Sequence, residues 1–502
     1  MIVRLMESRF LCSGAWPVLS VALRSLSVPA EVTVEQLCGA EIELLVSALR
    51  DWYPALAVGE EAVLLSRDFY LTEVALAGGS QAIADHSVLV VVGKAGGHLA
   101  CCLVLEAEEQ GRALLGRMTV VSPTVYGKGF GALCAQIVAA VGQAMGAERA
   151  SALAELDNHG SRKALEGAGF VLSGMMPASD RKQHRDGTLR YVAEAIYVHP
   201  LVPIEHRILP LAPHLSNRSA AVFHLLFGDH SSSAVALPEV QFLPLRSQSS
   251  SSFHIEVSQS RAGCWPTVQI LSARSDAQPV LKVRQLRRTE LATYSRCLRA
   301  WNPTLVGSNR ESLLHHAAYA SNTAFDGEIQ DLAKRPLSIW ILEESEVPVG
   351  ICTLSYVASR ASMDIVVCAI APTSNSANVS ELFHCLLASL AKALGIIRIS
   401  GFVSLRNREG QQLYEKLGLQ LLGIIPTADR YCLGDRMVYG MDALFGRSLV
   451  PHQDCHLPSL EKAPPRLAAL TQFMCEQGTL AVVPPRSSHA AEESVCGQLQ
   501  RS

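Results

Sequence analysis

The sequence predicts an α/β protein built as two tandem copies of one mixed α/β unit, and three observations predict it. A shift of 249 residues brings two long regions into register without a gap. Within each region, short apolar runs of strand type alternate with stretches of helical period. The chain has 502 residues, 49% of them apolar, which is too long for one ordinary core and apolar enough to build more than one.

The repeat rests on residues that chance seldom aligns. Val34, Gln36, Leu37 and Glu41 fall on Val283, Gln285, Leu286 and Glu290. Leu49, Arg50, Trp52 and Pro54 fall on Leu298, Arg299, Trp301 and Pro303, and Tyr70 on Tyr319. Further on, Pro123, Gly146, Arg149 and Asn158 match Pro372, Gly395, Arg398 and Asn407. Gly169, Gly174, Pro177, Asp180 and Arg181 match Gly418, Gly423, Pro426, Asp429 and Arg430. The expected organisation is an N-terminal extension (1–30), a first domain (31–200), a linker region (201–279), a second domain (280–447) and a poorly ordered tail (448–502). The linker carries serine runs and prolines, with a strand-like Phe253–Val257.

In each copy a helical stretch comes first, Val34–Trp52 in copy one, followed by strand runs such as Val88–Val92 and Leu99–Leu105. A strand ending near Val121 leads through a glycine-rich turn into a helix with Leu133, Ile137, Val138, Val141 and Met145 at helical spacing. A strand (150–154), a short helix (161–168) and strands from Phe170 and Arg190 close the unit.

A formal net charge of −3 supplies no basic stripe for nucleic acid or a membrane surface, so neither partner is expected. The 14 cysteines are scattered, with no CxxC pair, and read as reduced thiols of a cytosolic protein rather than a disulfide framework or a metal site. The segment from Phe10 to Leu23 is broken by Ser13, Gly14 and Pro17 and is too short to span a bilayer.

The stretch Val121-Ser-Pro-Thr-Val-Tyr-Gly-Lys-Gly-Phe-Gly131 is a strand, a turn and the start of a helix. Glycines 127, 129 and 131 leave no side chain between backbone N–H groups and a ligand, and the helix adds its positive end. Such a loop suits a pyrophosphate. It has neither the GK[ST] of a nucleotide-binding loop nor the GxGxxG of a dinucleotide fold.

This loop, followed by Asn158 and then Gly169-Phe170, resembles the GNAT superfamily of N-acetyltransferases, and the resemblance extends over both copies. It implies two tandem GNAT-like domains, each a mixed, mostly antiparallel sheet flanked by helices, with acetyl-CoA as co-substrate. It places Tyr126, Gly127, Lys128, Gly129, Phe130 and Gly131 on the pyrophosphate and Asn158 near the cofactor. A backbone N–H near Val120 or Val121 would face the developing oxyanion.

Each copy departs from the family pattern differently. Copy one has Tyr126 where the family has Arg or Gln, and Leu165 where it has a general-acid tyrosine. Copy two keeps Tyr414, between Asn407 and Gly418, but its loop reads Asn375-Ser-Ala-Asn-Val-Ser380 without a glycine. Side chains at 378 and 380 are expected to crowd the phosphates, which leaves copy one as the cofactor site.

The implied reaction is attack of a neutral primary amine on the thioester, the amine belonging to a small molecule or a protein. Candidate bases are Glu155 and Glu106 at strand ends, and Tyr414 is the candidate acid. The Asp180-Arg181 pair, shared with Asp429-Arg430, reads as a structural ion pair, with a substrate-facing role as the open alternative. The alternatives are a non-catalytic acyl-CoA-binding protein, an enzyme using another acyl-CoA, or a thioester decarboxylase.

Overall fold

A computed structural model describes residues 14–17, 20–23, 32–183, 187–228, 253–258, 261–272, 281–319, 321–374, 376–450, 454–456 and 463–476. The first half runs β1 (Ser20–Leu23), β2 (Val32–Gln36), α1 (Ile42–Trp52), α2 (Arg67–Thr72), β3 (Val74–Ala75), β4 (Val88–Ala95), β5 (His98–Glu108), β6 (Ala113–Val121), α3 (Phe130–Met145), β7 (Arg149–Glu155), α4 (His159–Gly167), β8 (Val171–Gln183) and β9 (Leu189–Pro200). Helix α5 (Asn217–Phe227) and a hairpin of β10 (Phe253–Ser258) and β11 (Thr267–Ser272) follow.

The second half runs β12 (Leu281–Gln285), α6 (Leu291–Trp301), β13 (Thr323–Ala324), β14 (Leu337–Glu344), β15 (Val347–Val357), β16 (Ser362–Ile370), α7 (Ser376–Leu394), β17 (Arg398–Ser404), α8 (Arg408–Lys416), β18 (Gln420–Leu433) and β19 (Arg436–Ser448). It ends with β20 (Cys455–His456) and α9 (Pro465–Glu476). The strand order from β2 to β9 thus recurs from β12 to β19, with 3-10 turns at the place of α2.

The helix expected from Val34 starts later, at Ile42. Val32, Val34 and Gln36 turn inward while Thr33 and Glu35 are only partly buried, a period of two that pairs with β4. Helical period takes over from Ile42, where Ile42, Leu45, Val46 and Leu49 are buried. Helix α3 stops at Gly146, whose φ of 73° lets Ala147 N–H reach back to Gly142 O at 2.9 Å.

Antiparallel ladders join β2, β4, β5 and β6, one parallel step joins β6 to β7, and antiparallel ladders continue through β9 to β8. The second half repeats these pairings from β12 through β14, β15, β16, β17 and β19 to β18. The two sheets meet where Gly174 of β8 lies opposite Gly423 of β18. A Cβ on Gly423 would stand 2.3 Å from Ser173 O and 2.4 Å from Gly174 Cα, so the approach requires glycine on both strands.

Polar contacts across this joint are reciprocal. Arg149 donates to Thr427 O and Arg398 to Ala178 O, both at 3.4 Å, while Arg430 pairs with the buried Glu148 at 2.9 Å. Thr427 and Ala178 both have positive φ, 56° and 48°. The joint therefore has a local two-fold character within one chain.

The trailing segments cross over. After the first half, Ile208 N–H donates to Tyr439 O of β19, and Ser216 bonds Gln411 and Glu415 of α8 at 2.9 and 2.8 Å. After the second half, β20 pairs with Tyr191 and Val192 of β9, and Thr471 of α9 donates to Met175 Sδ of β8. Helix α9 lies inside the segment expected to be poorly ordered. Its Leu467, Leu470, Phe473 and Met474 are buried, each worth roughly 1.5–3 kcal/mol, and that burial orders it.

The segment read as an N-terminal extension also enters the fold. Trp16 is fully buried, its Nε1 donates to His86 O at 2.7 Å, and its N–H donates to Gln81 O. Trp265 makes the same two bonds to Arg335 O and Gln330 O, again 249 residues on.

Charge has been exchanged in register. In the first half Lys94 bonds Glu35 and Glu41; in the second, Arg284 stands at the place of Glu35, Glu343 at that of Lys94, and Glu290 at that of Glu41. Cys101, Cys102, Cys134, Cys352 and Cys368 are buried free thiols. Among the described residues no helix is long and apolar enough to cross a membrane.

Candidate functional site

Strands β6 and β7 pair only from Ala113–Gly116 with Arg149–Ala152. Beyond that point β6 follows β5 and β7 follows β9, so a cleft opens in the middle of the sheet. A bulge at Arg117, where the β5–β6 register slips between Val104 and Leu105, marks the split. The second half splits at the same place, after Ile365 and Gly401, with its bulge at Val366.

The register decides which backbone group faces the cleft. Ser122 N–H donates to Ala100 O at 2.8 Å, which together with the Cys101–Val121 pairing turns the Val121 N–H and C=O away from β5, toward the gap. Val120 has the opposite parity and faces β5. Of the two strand positions singled out in the sequence, Val121 is the one aimed into the cleft.

The glycine loop follows at once. Gly127 and Gly129 have φ of 75° and 86°, and Gly129 is the N-cap of α3. Their glycine character is thus accounted for by the backbone alone. Gly131 differs, because it is helical and a Cβ there would meet only Ala164 Cβ at 3.8 Å, an ordinary contact. Neither conformation nor packing demands a glycine at 131, and the missing side chain leaves the start of α3 open to close approach.

The N–H groups of the first turn of α3 lack intrahelical partners by helix geometry and carry the positive end of the dipole. The residues present therefore fit a pyrophosphate. Tyr126 is 63% exposed, Lys128 Nζ donates to Thr124 O at 3.0 Å, and Phe130 is buried in the core, so Phe130 can serve a ligand only through its N–H.

Among the described residues of the second half there is no such loop. Helix α7 already begins at Ser376, the counterpart of Gly127, so helix occupies the place of the turn. Ser380 is buried and bonds Ala377 O, so it turns inward instead of crowding a phosphate as its sequence position suggested. Asn375 lies outside the described residues.

Asn158 and Asn407 cap α4 and α8, accepting from Ser161 N–H at 3.0 Å and Gly410 N–H at 2.8 Å. Leu165 is core packing. Tyr414 is also buried, its hydroxyl 3.4 Å from Ile365 O and its ring 5.7 Å from that of Phe445; burial pushes its hydroxyl well above the usual range. It lines the second half's cleft. Glu155 lies in the first half, so the structure does not bring the two candidate catalytic groups together.

Glu155 ends β7 directly opposite Glu194 of β9. Burial, and after it the charges of Glu155, Asp180 and Glu194, push the Tyr53 hydroxyl upward. Burial raises the Glu194 carboxyl to about 7, with Asp180 and Glu155 pushing the same way and the Ser179 hydroxyl, 2.5 Å away, opposing. No sequence pattern singles out Glu194, since its counterpart is Ala443 and only the strand register sets it against Glu155.

Glu106, the other candidate base, is held by Arg117 at 3.5 Å, which also bonds Glu61 at 2.9 Å. The ion pair read between Asp429 and Arg430 is not formed, for Asp429 pairs with Arg406 and Arg430 with Glu148.

No family model matches the chain, and no curated protein sequence matches it. Solved structures do. An acetyltransferase of the GNAT family from Streptococcus pneumoniae is similar at 14% identity, covering 34% of this chain and 100% of that one, with a TM-score of 0.27. A phosphinothricin acetyltransferase of the GNAT superfamily from Sinorhizobium meliloti, solved in complex with AcCoA, is similar at 18% identity, covering 34% and 88%, with a TM-score of 0.27. A Salmonella typhimurium acetyl transferase that modifies the N-terminal serine of ribosomal protein L7/L12 is similar at 13% identity, covering 35% and 97%, with a TM-score of 0.27.

Proposed function

We propose that the chain is a tandem pair of GNAT-type units whose first unit takes acetyl-CoA as co-substrate and acetylates a primary amine. The observation that carries this reading is the split between β6 and β7, with Val121 N–H and the glycine loop on one side and Glu155 and Glu194 on the other. Acetyl-CoA would supply an activated thioester, with its pyrophosphate on the loop N–H groups and the start of α3.

The chain's own residues then do three things. Val121 N–H stabilises negative charge on the carbonyl oxygen, and the cleft walls orient the amine. Glu194, shifted toward neutrality, accepts the amine proton, with Glu155 beside it. The C–N bond forms as the C–S bond breaks, and the thiolate takes its proton from water, because Leu165 offers none. The facing carboxylates of Glu155 and Glu194, with the charge of Asp180 acting on the same groups, favour an acceptor that carries positive charge elsewhere, a diamine or a lysine-bearing protein, over a neutral amine.

One observation, Leu165 in place of an acid, favours a second reading in which the first unit binds acyl-CoA without turnover. A thiol-release assay with acetyl-CoA and a panel of cationic and neutral amines, with products identified by mass spectrometry, separates the two. Turnover with cationic amines is expected. Bound CoA with no turnover across the panel would establish the second reading, and failure to bind CoA would dismiss both.

A further inference from the structure

The second half has lost the phosphate loop but keeps an open cleft bounded by the α6–β13 connection, the ends of β16 and β17, and α8. A cleft that had merely decayed would fill with apolar side chains. This one has been recharged in register. Arg310 stands where the first half has Glu61, Arg406 where it has Asp157, Ser404 where it has Glu155, and Ala443 where it has Glu194, while Asp429 retains the carboxylate of Asp180.

We propose that this cleft binds a small zwitterion of amino-acid size, with one ammonium and one carboxylate, without any CoA. Asp429 is only 3% exposed yet lines the space. Its Oδ2 accepts from Ser404 Oγ at 2.6 Å and Arg406 Nε at 2.9 Å, and its Oδ1 makes no hydrogen bond. A carboxylate oxygen that accepts from no protein donor beside the cleft is free to accept from a ligand, and an ammonium supplies up to three donors.

Arg310 lines the same space within electrostatic reach of Asp429. One of its terminal nitrogens donates to Phe402 O at 3.1 Å and the other pairs with Asp442, which fixes the guanidinium in place, while Nε makes no bond. A fixed carboxylate and a fixed guanidinium in one small cleft match opposite charges on one ligand better than either charge alone. The first half's cleft, with its counterparts of Arg310 and Arg406 acidic, would select cations instead.

The test is calorimetry on the full chain with glycine and L-serine as zwitterionic probes, against ethylammonium and acetate as single-charge controls. Saturable binding of a zwitterion, about tenfold or more tighter than either control, is expected. Asp429→Asn should abolish it, at a lowered melting temperature because Arg406 loses its ion-pair partner. Thr304→Phe should do the same from the partly exposed rim, without disturbing the buried network. Gly131→Ala, in the other half, should leave it unchanged. Absence of saturation with both zwitterions, equal affinity for a single-charge control, or full affinity in Thr304→Phe overturns the proposal.

Discussion

Replacing Glu194 with glutamine tests the cleft chemistry and the energetics together. Burial lifts this carboxyl from an ordinary 4.5 to about 7. A difference of about 2.5 pH units corresponds to about 3 kcal/mol, an upper bound because the side chain keeps some solvent contact. The fold favours the protonated form, so this contribution is fully present below the unfolded value and is lost as pH rises through 7. Between about pH 5 and about pH 8 the wild type should therefore lose up to about 3 kcal/mol that Glu194→Gln does not lose. Urea unfolding at both pH values, with the slope of the transition checked for constancy, reads this directly. The same group, if it is the base, gives kcat/KM a rising limb near pH 7, and the glutamine variant should lose the limb and about a hundredfold in rate. Identical pH dependence of stability in the two proteins would refute the burial argument. An unchanged rate profile would remove Glu194 from the chemistry.

Gly131→Ala should leave the melting temperature unchanged or raise it, since alanine favours helix by about 1 kcal/mol, while CoA affinity by calorimetry falls about tenfold or more; undiminished affinity would clear the loop of a ligand role. Gly423→Ala should destabilise the chain by roughly 2–3 kcal/mol in denaturant unfolding, because the strands must part by more than side-chain adjustment can absorb; a neutral result would mean the joint is not held as described. Tyr414→Phe should change acetyl transfer by less than about threefold, within the worth of one hydrogen bond, and a large loss of turnover alone would make the second unit catalytic.

The sequence was most legible where one residue type has one physical job. Repeated Trp, Pro and Gly positions located the recurring elements, and the run from Val121 to Gly131 marked strand, turn and helix start. The Trp16-Pro17 and Trp265-Pro266 match lay at the same offset and would have extended the repeat back to Gly14. Helix α9 was hidden because it shares almost no residues with its counterpart α5; what the two have in common is a buried face. Glu194 was invisible for a different reason: its significance comes from facing Glu155 across a ladder, and register depends on a bulge that no local pattern announces. The helical start of α7 shows a third limit, since removing glycines from a loop does not merely clutter it but allows the helix to grow into its place.

The crossing of the trailing segments has a consequence for how the chain can be cut. Helix α5 is bonded to α8, and α9 rests on β8, so each half carries the piece that finishes the other. A single proteolytic nick between α5 and β10 would leave the described strands of both sheets, α5 and α9 whole. The two fragments should co-elute as one particle and part only in denaturant. Expressed separately, each should stay insoluble until its complement is supplied, which makes the chain a natural candidate for split-protein reconstitution.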